Sequence, residues 1–298
     1  GSGILENPKN AIVVEGEEAV LSCVVDGNPS PKVTWTKNEE NLNITHLRLR
    51  ASSQNNKHSL TITNVYRSDS GQYRCVAFNN VANLTSSPGT LTVQFKPSIA
   101  SQPQSVSPEE GSNVTLRCNA TGSPILHMFW TFDGSVIEEN ENSRISLSSD
   151  SQELTITNVE REDSGKYRCA VKNRVGNDTS EPSVVNVLYQ PEIVTHPKNN
   201  TQEEGLSLNL FCNATGNPSP TLSWTKNGNS LSDNKGITFS GNNETLSIAN
   251  LNRTDSGNYR CVASNSLRND SSSAATVDVL CKCSLISFLL YQIQNAKL

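Results

Sequence analysis

Asp163-Ser164-Gly165-Lys166-Tyr167-Arg168-Cys169 recurs twice with one change, as Asp69-Ser70-Gly71-Gln72-Tyr73-Arg74-Cys75 and as Asp255-Ser256-Gly257-Asn258-Tyr259-Arg260-Cys261. Each copy follows a short run of alternating apolar residues, LTIT at 60–63, LTIT at 154–157 and LSIA at 246–249. Alternation of that kind marks a half-buried strand. Cys23, Cys118 and Cys212 stand 52, 51 and 49 residues before the three terminal cysteines, and each is followed 12 residues on by Trp35, Trp130 or Trp224. Pro8, Pro103 and Pro197 stand eight residues before Gly16, Gly111 and Gly205, and each of these stands seven before the first cysteine of its copy. The whole ruler repeats every 94 residues or so. A repeat of this length means three copies of one folding unit.

These stretches resemble the immunoglobulin sandwich, whose tyrosine corner places a Tyr two residues before a core Cys. In the first copy the matching stretches are EGEEAVLSC (15–23), NPSPKVTWTKN (28–38) and SDSGQYRCVAFN (68–79). In the third they are NPSPTLSWTKNG (217–228) and TDSGNYRCVASN (254–265). The chain is similar to the I-set domains of neural cell-adhesion, hemicentin, roundabout and fibroblast-growth-factor-receptor ectodomains over about residues 5–280. The second copy departs from the pattern, with PIL at 124–126 and WTFDG at 130–134.

The resemblance implies an all-β chain of three tandem I-set sandwiches over residues 1–96, 97–190 and 191–280, with an unassigned tail at 281–298. It implies one inter-sheet disulfide in each: Cys23 to Cys75, Cys118 to Cys169 and Cys212 to Cys261. Trp35, Trp130 and Trp224 then pack on the bridges, and Tyr73, Tyr167 and Tyr259 pin the corners. Cys281 and Cys283 fall outside these pairs. Proline cannot donate to a sheet ladder, so the three ruler prolines mark where the first strand changes sheets. Arg50 and Arg144, each ten residues before an LTIT run, are the expected salt-bridge partners of Asp69 and Asp163. Gly236 takes that place in the third copy, beside Lys235.

Hydrophobic content is 34% and aromatic content 5%, thin for one large core but adequate for three small cross-linked ones. Each bridge closes a loop of about 50 residues, worth roughly 4 kcal/mol in the chain-entropy description. Such bridges persist in an oxidising compartment, so the chain reads as extracellular, secreted or at a cell surface. It opens on Gly1-Ser2-Gly3 rather than Met, which places its natural start upstream. No run of 18 apolar residues occurs to span a bilayer, SLISFLLYQI (284–293) being too short. Basic and acidic residues number 9 and 8 in 1–96, 7 and 13 in 97–190, and 8 and 8 in 191–298. No basic run points to nucleic acid.

No catalytic constellation emerges. The Ser of each DSG recurs at a structural corner with no histidine at a fixed offset, so it reads as a turn residue and not as a nucleophile. No phosphate loop or metal-ligand spacing occurs, and no cofactor is expected. The chemistry on offer is N-glycosylation, at Asn43, Asn83, Asn113, Asn119, Asn177, Asn199, Asn213, Asn243, Asn252 and Asn269. Asn83, Asn177 and Asn269 each stand eight residues after the second cysteine. Asn119 and Asn213 directly follow the first cysteine, pointing outward. The sites number two, three and five from first copy to last, which leaves the first the least covered.

Alternation also marks outward aromatics. Phe78 stands where the other copies have Lys172 and Ser264, Tyr66 where they have Glu160 and Asn252, and Phe129 where they have Thr34 and Ser223. Exposed aromatics mark binding patches. Three readings stay open: an adhesion or recognition ectodomain binding a protein, itself or another; the ligand-binding part of a signalling receptor; and a fragment of a structural matrix array. An enzyme stands well behind them.

Overall fold

The computed structural model describes residues 3–124, 126–138, 144–234 and 236–282. The expectations for Lys235, Cys283 and the tail beyond it fall outside these residues. By internal contacts the chain divides into two compact units, Gly1–Val106 with Val114–Ile156 and Gly165–Val184, and Ser107–Asn113 with Thr157–Ser164 and Val185–Leu298.

The first unit begins with a complete sandwich. Its strands are β1 (Gly3–Glu6), β2 (Ala11–Val14), β3 (Ala19–Asp26), β4 (Lys32–Lys37), β5 (Glu40–Asn41), β6 (Leu49–Gln54), β7 (Lys57–Ile62), β8 (Gly71–Phe78), β9 (Asn83–Thr85) and β10 (Gly89–Ser101). One sheet runs β1-β3-β7-β6, and the other runs β10-β8-β4-β5 with β2 added to β10 and β9 to β8. Inward residues alternate along β3 as Ala19, Leu21, Cys23 and Val25, all buried. They close on Trp35, Leu60, Ile62, Tyr73, Leu91 and Val93 around the Cys23–Cys75 bridge. Pro8 is buried between β1, antiparallel to β3, and β2, parallel to β10, so the missing N–H falls where the chain crosses between sheets.

β10 does not stop at the end of this sandwich. It pairs with β8 through Leu91 and with β2 through Gln94, and then runs on against β12 (Asn119–Ser123), which follows β11 (Val114–Arg117). Phe95 faces Ser123 and Ser101 faces Asn119. One strand therefore serves two copies of the repeat. In the second copy β11 pairs with Glu153–Ile156, His127–Phe132 pairs with Gly165–Lys172, and Cys118 bonds Cys169 beside the buried Trp130.

The second unit carries the third sandwich. Asn200–Glu203 lies parallel on Ala275–Leu280, followed in order by Gly257–Ser264, Thr221–Lys226 and Asn229–Ser230. The facing sheet is Leu208–Phe211, Thr245–Ile248 and Ile237–Ser240. Between them Cys212–Cys261, Trp224, Leu246 and Tyr259 form the core.

The spacing ruler has a backbone cause. Gly16, Gly111 and Gly205 have φ of 90°, 85° and 87°, a region closed to most side chains. Each donates its N–H to the loop that follows the neighbouring strand of the same sheet, to Val65 O, Val159 O and Leu251 O at 2.8, 2.7 and 2.8 Å.

One expected contact is corrected. Asp69 pairs with Arg48 at 2.8 Å, not with Arg50. Arg50 lies within β6 opposite Thr61, an exposed pleat away from the corner. Arg48 lies level with Thr63, whose N–H bonds Arg48 O at 3.0 Å, so its guanidinium reaches Asn64 O and the Asp69 carboxylate. In the third copy Asp255 faces Lys226 at 3.9 Å, a partner from the sheet that Asp255 leads into.

Candidate recognition surface

The repeated corner is built for rigidity. Tyr73 donates its hydroxyl to Asp69 O at 2.7 Å, and Tyr259 donates to Asp255 O at 2.8 Å. Burial pushes the Tyr259 hydroxyl up to about 12, and burial raises Tyr73 further still. For Asp69 burial works upward, but hydrogen bonds from Arg48 and from the Tyr66 N–H outweigh it and leave the carboxyl below its usual range.

The serines have work that their sequence does not announce. Ser70, Ser164 and Ser256 Oγ accept from Val93, Val187 and Val279 N–H at 3.0, 3.1 and 3.0 Å, tying each corner to the last strand. A second set, Ser86, Ser180 and Ser272, is buried and accepts from the N–H of Cys75, Cys169 and Cys261 at 3.0, 3.1 and 3.0 Å. Their carbonyls take Nη1 of Arg74, Arg168 and Arg260, the arginine of the repeated heptapeptide. The available signal was a serine 11 residues after each second cysteine.

The three outward aromatics do not gather into one patch. Tyr66 is 46% exposed at the corner, with the Arg48 guanidinium 4.2 Å from its ring centre. Phe129 is half-buried in the second copy, with Lys172 Nζ 5.8 Å above its ring and His127 beside it. Phe78 is 37% exposed near the opposite end of β8 from the corner. It stands in register between Lys32 on β4 and Asn83 on β9, so these three side chains share the outer face. The same row reads His127, Lys172, Asn177 in the second copy and Thr221, Ser264, Asn269 in the third.

Beside Phe78, the hairpin that joins β8 to β9 is tied by Asn79, whose Oδ1 accepts from Val81 N–H and Ala82 N–H, both at 2.9 Å. Asn79 Nδ2 also donates to Pro29 O at 2.8 Å, joining two loops into one tip. Val81 at the apex is 70% exposed. The corresponding tips are used elsewhere in the chain. In the first unit Asn173 Nδ2 donates to Phe95 O at 2.9 Å and Arg174 Nε to Gln94 Oε1 at 2.6 Å, with Val175 half-buried. In the second unit Asn265 Nδ2 donates to Tyr189 O at 2.9 Å, with Leu267 half-buried.

The linker aromatics are likewise engaged. Arg67 lies 3.9 Å from the Phe95 ring centre and 3.1 Å from Glu15, and Arg161 lies 4.1 Å from that of Tyr189 and 3.0 Å from Glu110. Cys281, exposed and unbonded, occupies their place in the third copy, 20 residues after Cys261.

Nine of the ten sequon asparagines are exposed and Asn213 is half-buried. Asn43 accepts from Thr45 of its own sequon at 2.7 Å through Oδ1. Asn243 differs, because its Nδ2 donates to Leu222 O at 2.8 Å while its backbone carbonyl accepts from Trp224 Nε1 at 2.7 Å. Among the described residues no group of His, Cys, Asp and Glu is placed to hold a metal ion, and no helix is long and apolar enough to cross a membrane.

Comparison with known proteins places this geometry. Human Roundabout homolog 2 is 33% identical over 92% of the chain, which spans 20% of that protein. Other relatives are longer still against it, so the chain spans a fifth or less of the first relatives it matches. A titin I-band fragment superposes with a TM-score of 0.69 at 25% identity, covering 95% of this chain and 99% of its own. A chain from the complex of Dpr2 Ig1-Ig2 with DIP-Theta Ig1-Ig3 superposes with a TM-score of 0.62 at 25% identity, covering 94% and 99%. The I-set immunoglobulin domain matches residues 2–93 and the immunoglobulin domain matches residues 96–173 and 190–265, and this chain belongs to the immunoglobulin domain family.

Proposed function

We propose that the chain is part of an extracellular recognition protein that works by binding another protein, not by catalysis, and that its first sandwich makes the contact. The observation that carries this reading is the tip around Val81. In the second and third copies the equivalent tip is already engaged within the chain, where Asn173 and Arg174 or Asn265 hold the residues that lead into the copy. In the first copy the same construction presents Val81 70% exposed, with Phe78 at its border. The surroundings support it. Of the 13 large apolar residues exposed among the described residues, Leu5, Ile12, Val20, Leu47, Tyr66, Phe78 and Val81 belong to this sandwich. Disulfides and sequons fit a protein matured in the secretory pathway. The solved complex between Dpr2 and DIP-Theta offers a precedent for immunoglobulin chains engaging other immunoglobulin chains.

Tyr66 and Phe129 stand apart from this tip. The test is Val81→Asp, at a position whose side chain holds nothing in the fold. Wild type and variant are compared in bead aggregation and in surface binding, against the chain itself and against candidate ectodomains. A charge at an interface centre lowers affinity at least tenfold, since it must be desolvated. Phe78→Ala should weaken binding too when Asn83 carries no sugar. Equal binding by Val81→Asp and wild type would move the contact off the tip.

A further inference from the structure

We propose that Phe78 is the platform on which the first N-acetylglucosamine of a glycan at Asn83 stacks, so that the sugar is held as part of the first sandwich. This does not depend on what the sandwich binds. Antiparallel pairing sets Phe78 directly opposite Asn83. Directly opposed residues of such a pair hold their Cβ atoms about 5 Å apart on one face. Both side chains are exposed, while the intervening Ala77 is buried, which fixes the outward face of β8. Thr85, the hydroxyl residue of the same sequon, is also exposed and lies opposite Val76. No protein group hydrogen-bonds the Asn83 side chain among the described residues, so its Nδ2 is available for the linkage.

The chemistry on the two sides matches. A β-linked N-acetylglucosamine has one face of axial C–H bonds, weakly positive and apolar. The face of a phenyl ring is negative and apolar. A sugar one cross-strand neighbour away can lay that face on the ring, removing both from water. Lys32, on the other flank of Phe78, limits the direction in which the ring can be covered. The equivalent rows offer no such partner, because Lys172 stands opposite Asn177 and Ser264 opposite Asn269. Three sequons therefore share one position in the fold, and one of them has an aromatic floor.

The test uses the full chain made in a eukaryotic secretory host that leaves high-mannose glycans, trimmed afterwards to a single N-acetylglucosamine. Glycopeptide mass spectrometry first measures occupancy at Asn83, and an unoccupied Asn83 overturns the proposal. Melting of the first sandwich is then compared in wild type, Asn83→Gln, Phe78→Ala and the double variant. The sugar should raise the transition by about 4 °C when Phe78 is present and by nothing when it is Ala. In nuclear magnetic resonance spectra the ring protons of the Asn83 sugar should shift upfield in wild type alone. Installing the ring elsewhere guards against a variant that fails to fold. Ser264→Phe should raise the third transition only when Asn269 is glycosylated. An equal sugar effect with and without Phe78, or no effect in either sandwich, would refute the stacking.

Discussion

Replacing two nearby arginines one at a time tests the corner of the first sandwich. Arg48 and Asp69 meet at 2.8 Å with side-chain exposures of 23% and 13%, in a pair shielded from water on most sides. Asp69 also accepts from the Tyr66 N–H at 2.7 Å, closing the turn. Exposed ion pairs contribute about 0 to 1 kcal/mol, and breaking a fully buried one costs about 3 to 5. This pair lies between, and Arg48 can regain water once its partner is gone, so Arg48→Ala should cost about 1 kcal/mol. Asp69→Ala loses the turn bond as well, a cap-like contact worth about 1 kcal/mol, for a total of about 2. For a domain of this size that lowers the melting temperature by roughly 10 °C. Arg50→Ala, at an exposed position, should stay within about 0.5 kcal/mol of wild type. Calorimetry of the full chain with its disulfides intact would resolve the first transition, and the double variant Arg48→Ala/Asp69→Ala would isolate the pair. A loss on replacing Arg50 that matches or exceeds the loss on replacing Arg48 would refute the register described above.

Acidification should act through the same carboxyl. Its folded pKa lies below the unfolded value of about 3.9, so its contribution is present above that pH and is lost as the pH falls through the folded value. Asp69→Asn should flatten the pH dependence of first-sandwich melting below about pH 4. At the other extreme, Tyr259 is raised to about 12, so its contribution is present below about pH 10 and lost as the pH climbs through 12. An ultraviolet titration should show buried tyrosines ionising only with unfolding. Ser86→Ala, Ser180→Ala and Ser272→Ala each strand a buried cysteine N–H and should cost about 1 to 3 kcal/mol apiece, read as three separate shifts in chemical denaturation. Asn243→Ala removes a bond to Leu222 O at a residue whose φ is +66°, and should cost about 1 to 2 kcal/mol, whereas Asn269→Ala should cost little; hydrogen exchange of the third sandwich would separate them.

Much of the architecture could be read from spacing because the core leaves its residues little freedom. A cysteine that must meet another across two sheets, a tryptophan against that bridge and a tyrosine at the corner can drift only as loops lengthen. Glycine at 16, 111 and 205 was legible for the same reason, since the backbone there has a sign that other residues avoid. The ion pair was misplaced because counting residues back from LTIT ignores where the strand ends. Arg50 is still on the pleat, and Arg48 is where the chain turns over the corner. The serines escaped notice because a hydroxyl in a turn looks like filler until the amide it serves is found 11 or 23 residues away. The row joining Lys32, Phe78 and Asn83 depends on hairpin register, which outward alternation along β8 alone does not fix.

The thirteen residues of β10 carry a practical consequence. Lys96, the natural place to cut between the first two copies, lies inside a ladder rather than in a tether. A fragment beginning at residue 97 would lose the pairing of Phe95 with Ser123 and the carbonyl that receives Asn173, while a fragment ending at 96 would expose a strand end made to be paired. Removing the first copy thus wounds the second. A lost activity in such a truncation would not reveal which copy had supplied it, and point substitutions on an intact chain are the cleaner scalpel.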